Sequence, residues 1–168
     1  KFEDHCYFSN STFSVFNCLH YKISGPFNFS GVRVLKSAGF NGVIFKKKAS
    51  FPKATFRNRA DFSDVTFSEQ ADFQDTEFSG TVCLLATFTK GSLIRWQQIK
   101  GKIEHSLKEN HADAREEFIR LKKIFDDNND YDSMDYAYEM FRHHRNMEDS
   151  KPIVFKWVNN LLLKQCSG

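Results

Sequence analysis

A run of carboxylate and amide side chains offers the most explicit chemistry in this sequence. Such side chains stand at every second position from Asp126 to Asp132, and alternate oxygen ligands suit a hard cation such as Ca²⁺. A calcium loop of this kind needs glycine at its sixth position and glutamate at its twelfth, where this chain has Tyr131 and Ala137. The run is therefore interpreted as a solvated turn between helices, and no metal is predicted there.

Thiol and imidazole groups could also bind a metal, but their spacing argues against it. The cysteines are Cys6, Cys18, Cys83 and Cys166, with no C-x-x-C pair among them. The pairs His105/His111 and His143-His144 lack a third ligand at zinc spacing, so all four are interpreted as surface histidines. Cysteines without such spacing are expected to be buried thiols in a reducing compartment. A disulfide between Cys6 and Cys18 stays open.

No catalytic pattern appears in the chain. It lacks a glycine-rich phosphate loop, a nucleophile elbow and a metal-spaced cluster of His and Cys. We therefore expect no enzymatic activity, no cofactor and no small-molecule substrate. The net charge of +3 over 168 residues is too small to indicate nucleic-acid binding.

The dominant pattern is a recurrence of phenylalanine at steps that alternate between five and six residues. Neither the helical period of 3.6 nor the strand period of 2 produces such steps, so the spacing indicates structural repeats. Cys83 fills the one gap in the series, and a small or β-branched residue stands two positions before each member. The predicted core positions are Phe40, Phe45, Phe51, Phe56, Phe62, Phe67, Phe73, Phe78, Cys83 and Phe88.

These steps predict a coil that turns a corner at every repeat and directs one large apolar side chain inward each time. Stacked coils would bury a continuous column of side chains, and each coil would contact only its neighbours. A looser version of the register extends upstream through Phe8, Cys18 and Ile23, and downstream to Ile94 and Ile99. Residues 1–37 carry the poorest repeats, as expected of the coils at an end of a solenoid.

The stretch ATFRNRADFSDVTFSEQADFQDTEFSG, residues 54–80, resembles the pentapeptide-repeat proteins, in the variant that uses phenylalanine. The resemblance implies a mainly β fold, a right-handed quadrilateral β-helix in which each repeat forms one side. Two departures occur, at Cys83 and between Cys18 and Ile23, where consecutive steps are both five. Bulges or shifted corners are expected at these two places. The β-helix is assigned to residues 1–103 and a helical segment to residues 104–168.

Charge is segregated along the coils. Residues 31–59 carry only basic charges, residues 61–77 only acidic ones and residues 80–103 only basic ones. Because neighbouring coils lie about 4.8 Å apart, opposite charges could pair along the axis and help to fix the register. The alternative is a patch that binds phosphate or anionic lipid, formed by Lys46, Lys47, Lys48, Arg57 and Arg59.

Beyond Ile103 the pattern becomes helical. Apolar positions stepping by four and three from Leu107 to Phe125, with His111 among them, predict a helix over about 106–126. A second helix is predicted over 132–148, with Met134, Ala137, Tyr138, Phe141 and Arg145 facing inward, so that the two form an antiparallel hairpin. A short third helix is predicted over 151–164. Its partner-binding or membrane-facing side chains would be Phe155, Trp157, Leu161 and Leu162.

Residues 118–146 resemble the helical segment that joins many such β-helices to a C-terminal, potassium-channel-like membrane domain. The resemblance implies a cytoplasmic module at the inner face of a membrane, and the chain ends about where such a span would begin. A protein partner or a second copy would bind through the C-terminal helices.

The alternative function is that of a protein that binds DNA gyrase by mimicking a DNA duplex. Mimicry requires an acidic surface, whereas residues 1–103 carry 14 basic and 8 acidic side chains.

Overall fold

The structure is a computed structural model that describes residues 5–149. It is a right-handed parallel β-solenoid of about four turns followed by helices, and it confirms the predicted fold class. The strands have two residues each: β1 Cys6–Tyr7, β2 Thr12–Phe13, β3 Phe16–Asn17, β4 Lys22–Ile23, β5 Phe27–Asn28, β6 Arg33–Val34, β7 Ala38–Gly39, β8 Ile44–Phe45, β9 Ala49–Ser50, β10 Thr55–Phe56, β11 Ala60–Asp61, β12 Thr66–Phe67, β13 Ala71–Asp72, β14 Glu77–Phe78 and β15 Val82–Cys83.

Every fourth strand stacks in parallel on the same side, which makes the solenoid four-sided. The orders of the four sheets are β1-β5-β9-β13, β2-β6-β10-β14, β3-β7-β11-β15 and β4-β8-β12. Side-chain hydrogen bonds that link equivalent positions of neighbouring coils, such as the one from Lys47 to Glu69, span 22 residues. One turn of the solenoid is therefore four of the five- and six-residue steps.

Stacked phenylalanine rings fill the interior. The rings from Phe27 to Phe78 are at most 1% exposed. Along the axis Phe40 stacks on Phe62 and Phe51 on Phe73, with ring centroids 4.8 Å apart in both pairs. Across the coil Phe51 meets Phe62 edge to face, at 5.5 Å and 89°. Both arrangements are preferred by aromatic pairs, so one residue type can fill the column repeatedly.

The prediction for Cys83 is wrong in register. Cys83 is paired with Asp61 on the neighbouring strand, so that Leu84 occupies the column position equivalent to Phe62. The chain regains its phase at the next corner, where the Ala86 amide donates to the Leu84 carbonyl at 2.7 Å in a three-residue turn. This corner is one residue shorter than the turn that Phe62 begins. The irregular step in the repeat spacing therefore lies after Leu84. The Cys83 side chain points away from the column of rings.

The tight corners of the solenoid account for several residues whose backbone has positive φ. In each, the carbonyl of a column residue accepts from the amide three residues on, as Phe51 does from Ala54 at 3.0 Å. The third residue of the turn has positive φ, at Gly42 but also at Lys53, which has a φ of 57°. Only glycine adopts this conformation without strain.

A fifth, incomplete coil connects the solenoid to the helices. Thr87, Leu93 and Ile103 each form a single parallel bridge to the coil below. The remaining side is taken by helix α1, Trp96–Ile99, which packs on β14. Ile94 and Ile99 are buried here.

Cys18 is a buried thiol, so the Cys6–Cys18 disulfide left open by the sequence does not form.

The helical segment is divided differently from the predicted 106–126 helix. Helix α2 covers Glu104–Leu107 and helix α3 covers His111–Asp127. Glu109, between them, has a φ of 54°, and Asn110 caps α3 by accepting from the Asp113 amide. Because the chain turns here, Leu107 is 55% exposed instead of joining the inward stripe.

Helix α4, Tyr131–Asp149, packs antiparallel on α3. Its buried residues are Ser133, Ala137 and His144, whereas the predicted inward residues Tyr138 and Arg145 are exposed. None of the helices described here is both long and apolar enough to cross a bilayer. The predicted third helix and its face of Phe155, Trp157, Leu161 and Leu162 lie outside the described residues.

Candidate functional site

The predicted basic patch is largely engaged in ion pairs with neighbouring segments. Lys47 Nζ lies 2.9 Å from Glu69, and Lys48 Nζ lies 3.5 Å from Asp72, one coil further on. Arg59 contacts Asp61 and Glu104. The Lys47 and Lys48 pairs are the axial charge matching that the segregated charges predicted. Lys46 and Arg57 are exposed, and they are the members of the patch for which no such pair is described.

The acidic run between α3 and α4 serves the turn that joins them. The Asp130 side chain accepts from the Ser133 amide at 3.2 Å and so caps α4. Asn128 donates from Nδ2 to the Ser92 carbonyl at 2.6 Å, which ties the turn to the last coil. These contacts agree with the interpretation of the run as a turn.

A cluster of titratable side chains lies where the solenoid meets the helices. Cys83 reaches it from the outward position of β15, His105 from α2 and Glu117 from α3. His105 Nδ1 lies 2.9 Å from Glu117 Oε2 and 3.9 Å from Cys83 Sγ. The second oxygen of Glu117 accepts from the Leu84 amide. We call these three residues the junction cluster.

Burial dominates the electrostatics of the junction cluster. Glu117 is 0% exposed, and the loss of solvent raises the pKa of its carboxyl group, against the hydrogen bonds from His105 and Leu84. The Glu117 carboxylate in turn raises the pKa of His105. Burial, together with nearby carboxylates, raises the pKa of the Cys83 thiol to about 12. The thiol is therefore protonated at neutral pH in the absence of a cation.

The junction cluster resembles a Cys-His-Glu catalytic triad in composition but not in geometry. In a triad the acid orients one ring nitrogen of histidine while the other nitrogen takes the proton of the nucleophile. Here Glu117 and Cys83 both contact Nδ1 of His105. A thiol that is 1% exposed and has a raised pKa is also a poor nucleophile. The arrangement suits ligand binding better than acyl transfer, and its three donor atoms lie within 4.8 Å of one another.

An ion-pair network surrounds the junction cluster. Glu104 is nearly buried and accepts from Arg59 and from Lys108, the latter at 2.6 Å. Hydrogen bonds from these two cations lower the pKa of Glu104 despite its burial. On the other side, Asp113 lies 3.9 Å from His105 Nε2. Both ring nitrogens of His105 therefore face carboxylates.

A second buried group consists of histidines that the sequence analysis placed on the surface. His111 is buried and His144 is 2% exposed, so that interpretation is wrong for both, whereas His143 is exposed. His144 Nδ1 lies 2.9 Å from His111 Nδ1, and its Nε2 lies 2.9 Å from Ser106 Oγ. Burial, followed by the charges of His111 and His143, lowers the pKa of His144 to about 4. His144 is thus a neutral core residue.

Sequence reasoning missed the junction cluster because its members come from three elements that no local spacing relates. One signal was present. Glu117 lies three residues after Ala114 and four before Leu121, on the inward stripe of α3, and a charged side chain on such a stripe requires a buried partner.

The comparisons with known proteins identify the repeats. Residues 40–83 match the family described as pentapeptide repeats (9 copies). The match lies within the regular part of the solenoid. Neither the curated proteins nor the solved structures contain a significant match.

Proposed function

We propose that this protein is a non-enzymatic scaffold that assembles through its helical hairpin. The observation that carries this proposal is the outer face of α4. Among nineteen residues α4 buries only three, while Tyr131 and Tyr138 remain exposed. Tyrosine is enriched in the cores of protein interfaces. The interior of the solenoid is filled by its own side chains, which suits a rigid support for α4. Pentapeptide-repeat solenoids are also typically non-enzymatic scaffolds.

The partner that fits this face best is a second copy of the chain. The first half of α4 carries exposed acids at Asp132, Asp135 and Glu139, and the second half carries exposed bases at Arg142 and Arg145, of which Arg145 lies 3.9 Å from Asp149. Two antiparallel copies of α4 would therefore bring the acids of each first half against Arg142 and Arg145 of the other copy. Such a self-complementary surface is what a two-fold symmetric dimer requires.

Light scattering coupled to size-exclusion chromatography tests the assembly. The wild-type chain is expected to dimerise, and Tyr138→Ser is expected to shift it towards the monomer. Tyr7→Ser removes a tyrosine of the first coil that is even more exposed than Tyr138, and it should leave the dimer intact. A wild-type chain that is monomeric at every concentration tested, or a dimer that both substitutions leave intact, would overturn the proposal.

We further propose that the scaffold works beside a membrane, on the cytoplasmic side. The support is the resemblance of residues 118–146 to channel-linked segments and the apolar stretch 153–163, which contains Trp157 between lysines at 156 and 164. Co-sedimentation with phosphatidylserine vesicles should exceed that with neutral vesicles. The combined change of Lys46, Lys47 and Lys48 to Gln should reduce it if the basic patch takes part. Equal sedimentation with both kinds of vesicle would contradict this role.

A further inference from the structure

We propose that Cys83, His105 and Glu117 bind one divalent transition-metal ion of the zinc class, which fastens the helical segment to the solenoid. The three side chains come from β15, α2 and α3, so a shared ion would join three elements that otherwise contact one another through packing, hydrogen bonds and ion pairs. This site is independent of the exposed face of α4.

The distances between the donor atoms are close to those of a tetrahedral site. Zinc lies about 2.3 Å from a thiolate sulfur and about 2.0 Å from an imidazole nitrogen, so adjacent tetrahedral ligands are about 3.2–3.6 Å apart. The observed separations from His105 Nδ1 are 3.9 Å to Cys83 Sγ and 2.9 Å to Glu117 Oε2. Displacements of less than about 1 Å would convert the hydrogen-bonded cluster into a coordination shell.

The chemical types of the donors select the class of ion. A thiolate and an imidazole suit zinc and its neighbours in the transition series, whereas Ca²⁺ and Mg²⁺ require oxygen ligands. The carboxylates of Glu117, Asp61 and Glu104 all contribute negative potential at Cys83, which favours a cation. On binding, the Cys83 thiol releases its proton to solvent and becomes the thiolate ligand, and the proton shared by His105 Nδ1 and Glu117 Oε2 is released as well, so that both atoms can bind the ion.

The surroundings hold two of the ligands in orientations that suit a metal. The Leu84 amide fixes one oxygen of Glu117 and leaves the other directed at His105. Asp113 faces Nε2 of His105, and a carboxylate at the second ring nitrogen orients a metal-binding imidazole through Nδ1. The His105 side chain is only partly buried, so an ion and a fourth ligand from water can enter beside it.

The test is titration of the full-length, tag-free and metal-stripped chain with Co²⁺, followed by competition with Zn²⁺. Absorption would report thiolate-to-cobalt charge transfer and tetrahedral coordination, and native mass spectrometry would report stoichiometry. We expect one equivalent, a thiolate band and a higher melting temperature with Zn²⁺ bound. Cys83→Ser should abolish the thiolate band. Cys18→Ser is the matched control, because it removes another buried thiol from the far end of the column.

The outcomes distinguish a metal-binding site from a cluster that is held together by hydrogen bonds alone. Absence of tight binding at one equivalent overturns the proposal, as does a thiolate band that persists in Cys83→Ser or disappears in Cys18→Ser. Circular dichroism checks that each variant is folded. If Cys83→Ser does not fold, Asp113→Asn decides the matter, because Asp113 is half-exposed and its loss should weaken metal binding about tenfold. An unchanged affinity in Asp113→Asn would overturn the coordination geometry.

Discussion

The solenoid and the helical junction bury their interiors by different means. From Phe27 to Phe78 the solenoid packs ring on ring, and the side chains of its column carry no charge. At the junction, Glu117, His111 and His144 lie in the core, where Glu117 is hydrogen-bonded to His105 and His111 to His144. The stabilisation from apolar burial is additive and depends little on which apolar groups are the neighbours. A buried polar group, in contrast, lowers the stability of the fold wherever its hydrogen-bond partner is lost. The two regions should therefore respond differently to substitution and to pH.

The largest effect is expected from removing one ring from the column. Phe62→Ala should lower the free energy of unfolding by about 3–5 kcal/mol, because it leaves a cavity beside Phe40 and Phe73. Urea denaturation would measure the change. Tyr7→Ala, which removes a ring that is 65% exposed, should cost less than about 0.5 kcal/mol. Equal effects of the two substitutions would contradict an apolar column as the source of stability.

At the junction the expected cost comes from a polar atom that loses its partner. Glu117→Ala leaves the buried Leu84 amide without an acceptor, and an unsatisfied buried donor costs about 1–3 kcal/mol. Its neighbour Glu116 is exposed and pairs with Arg120, one helical turn away, so Glu116→Ala should be nearly neutral. A Glu117→Ala chain as stable as Glu116→Ala in urea denaturation would show that this carboxylate merely fills space.

The same contrast decides what could be predicted from the sequence. The column was predictable because its period is local: each ring lies five or six residues from the next, and the coil reproduces that step without reference to other regions. Leu84 was misassigned because Cys83, Leu84 and Leu85 are all apolar, so a one-residue shift leaves the pattern unchanged. A shortened corner then restores the phase, and only strand pairing shows where.

The junction could not be predicted because its contacts depend on how α2 and α3 dock on β15. His105 and Glu117 are twelve residues apart, and Cys83 precedes His105 by 22. The heptad pattern identified most of the inward stripe of α3, but it continued through the break at Glu109. That break directs Leu107 outward and His105 towards Glu117. A rule based on residue spacing cannot predict such a turn, because a single residue with positive φ separates the two helices.

Acid should destabilise the helical junction through His144. Its pKa is about 4 in the folded chain, against 6.5 for an ordinary histidine, so below pH 6.5 the unfolded chain binds a proton that the folded chain does not. Stability is therefore lost as the pH falls from about 6.5 towards 4. The groups facing His144 are His111 on α3, Ser106 on α2 and the adjacent His143. None of them is a carboxylate that could stabilise the imidazolium.

Denaturation at pH 7 and pH 5 measures this effect. Between these values the wild type should lose about 1–2 kcal/mol more than His144→Gln, which cannot be protonated. His143→Gln provides the matched control because His143 is exposed on the same helix, and its pH dependence should follow the wild type. A His144→Gln chain whose stability falls as steeply as that of the wild type would place the acid sensitivity elsewhere.

The smallest effect is expected from the ion pairs between coils. Lys47 and Glu69 approach to 2.9 Å, but about half of each side chain is exposed, and water screens such a pair. A double-mutant cycle with Lys47→Gln and Glu69→Gln should give a coupling energy of at most about 1 kcal/mol, which decreases in high salt. A larger coupling that persists in high salt would mean that the outer surface of the solenoid, and not only its ring column, fixes the stacking of the coils.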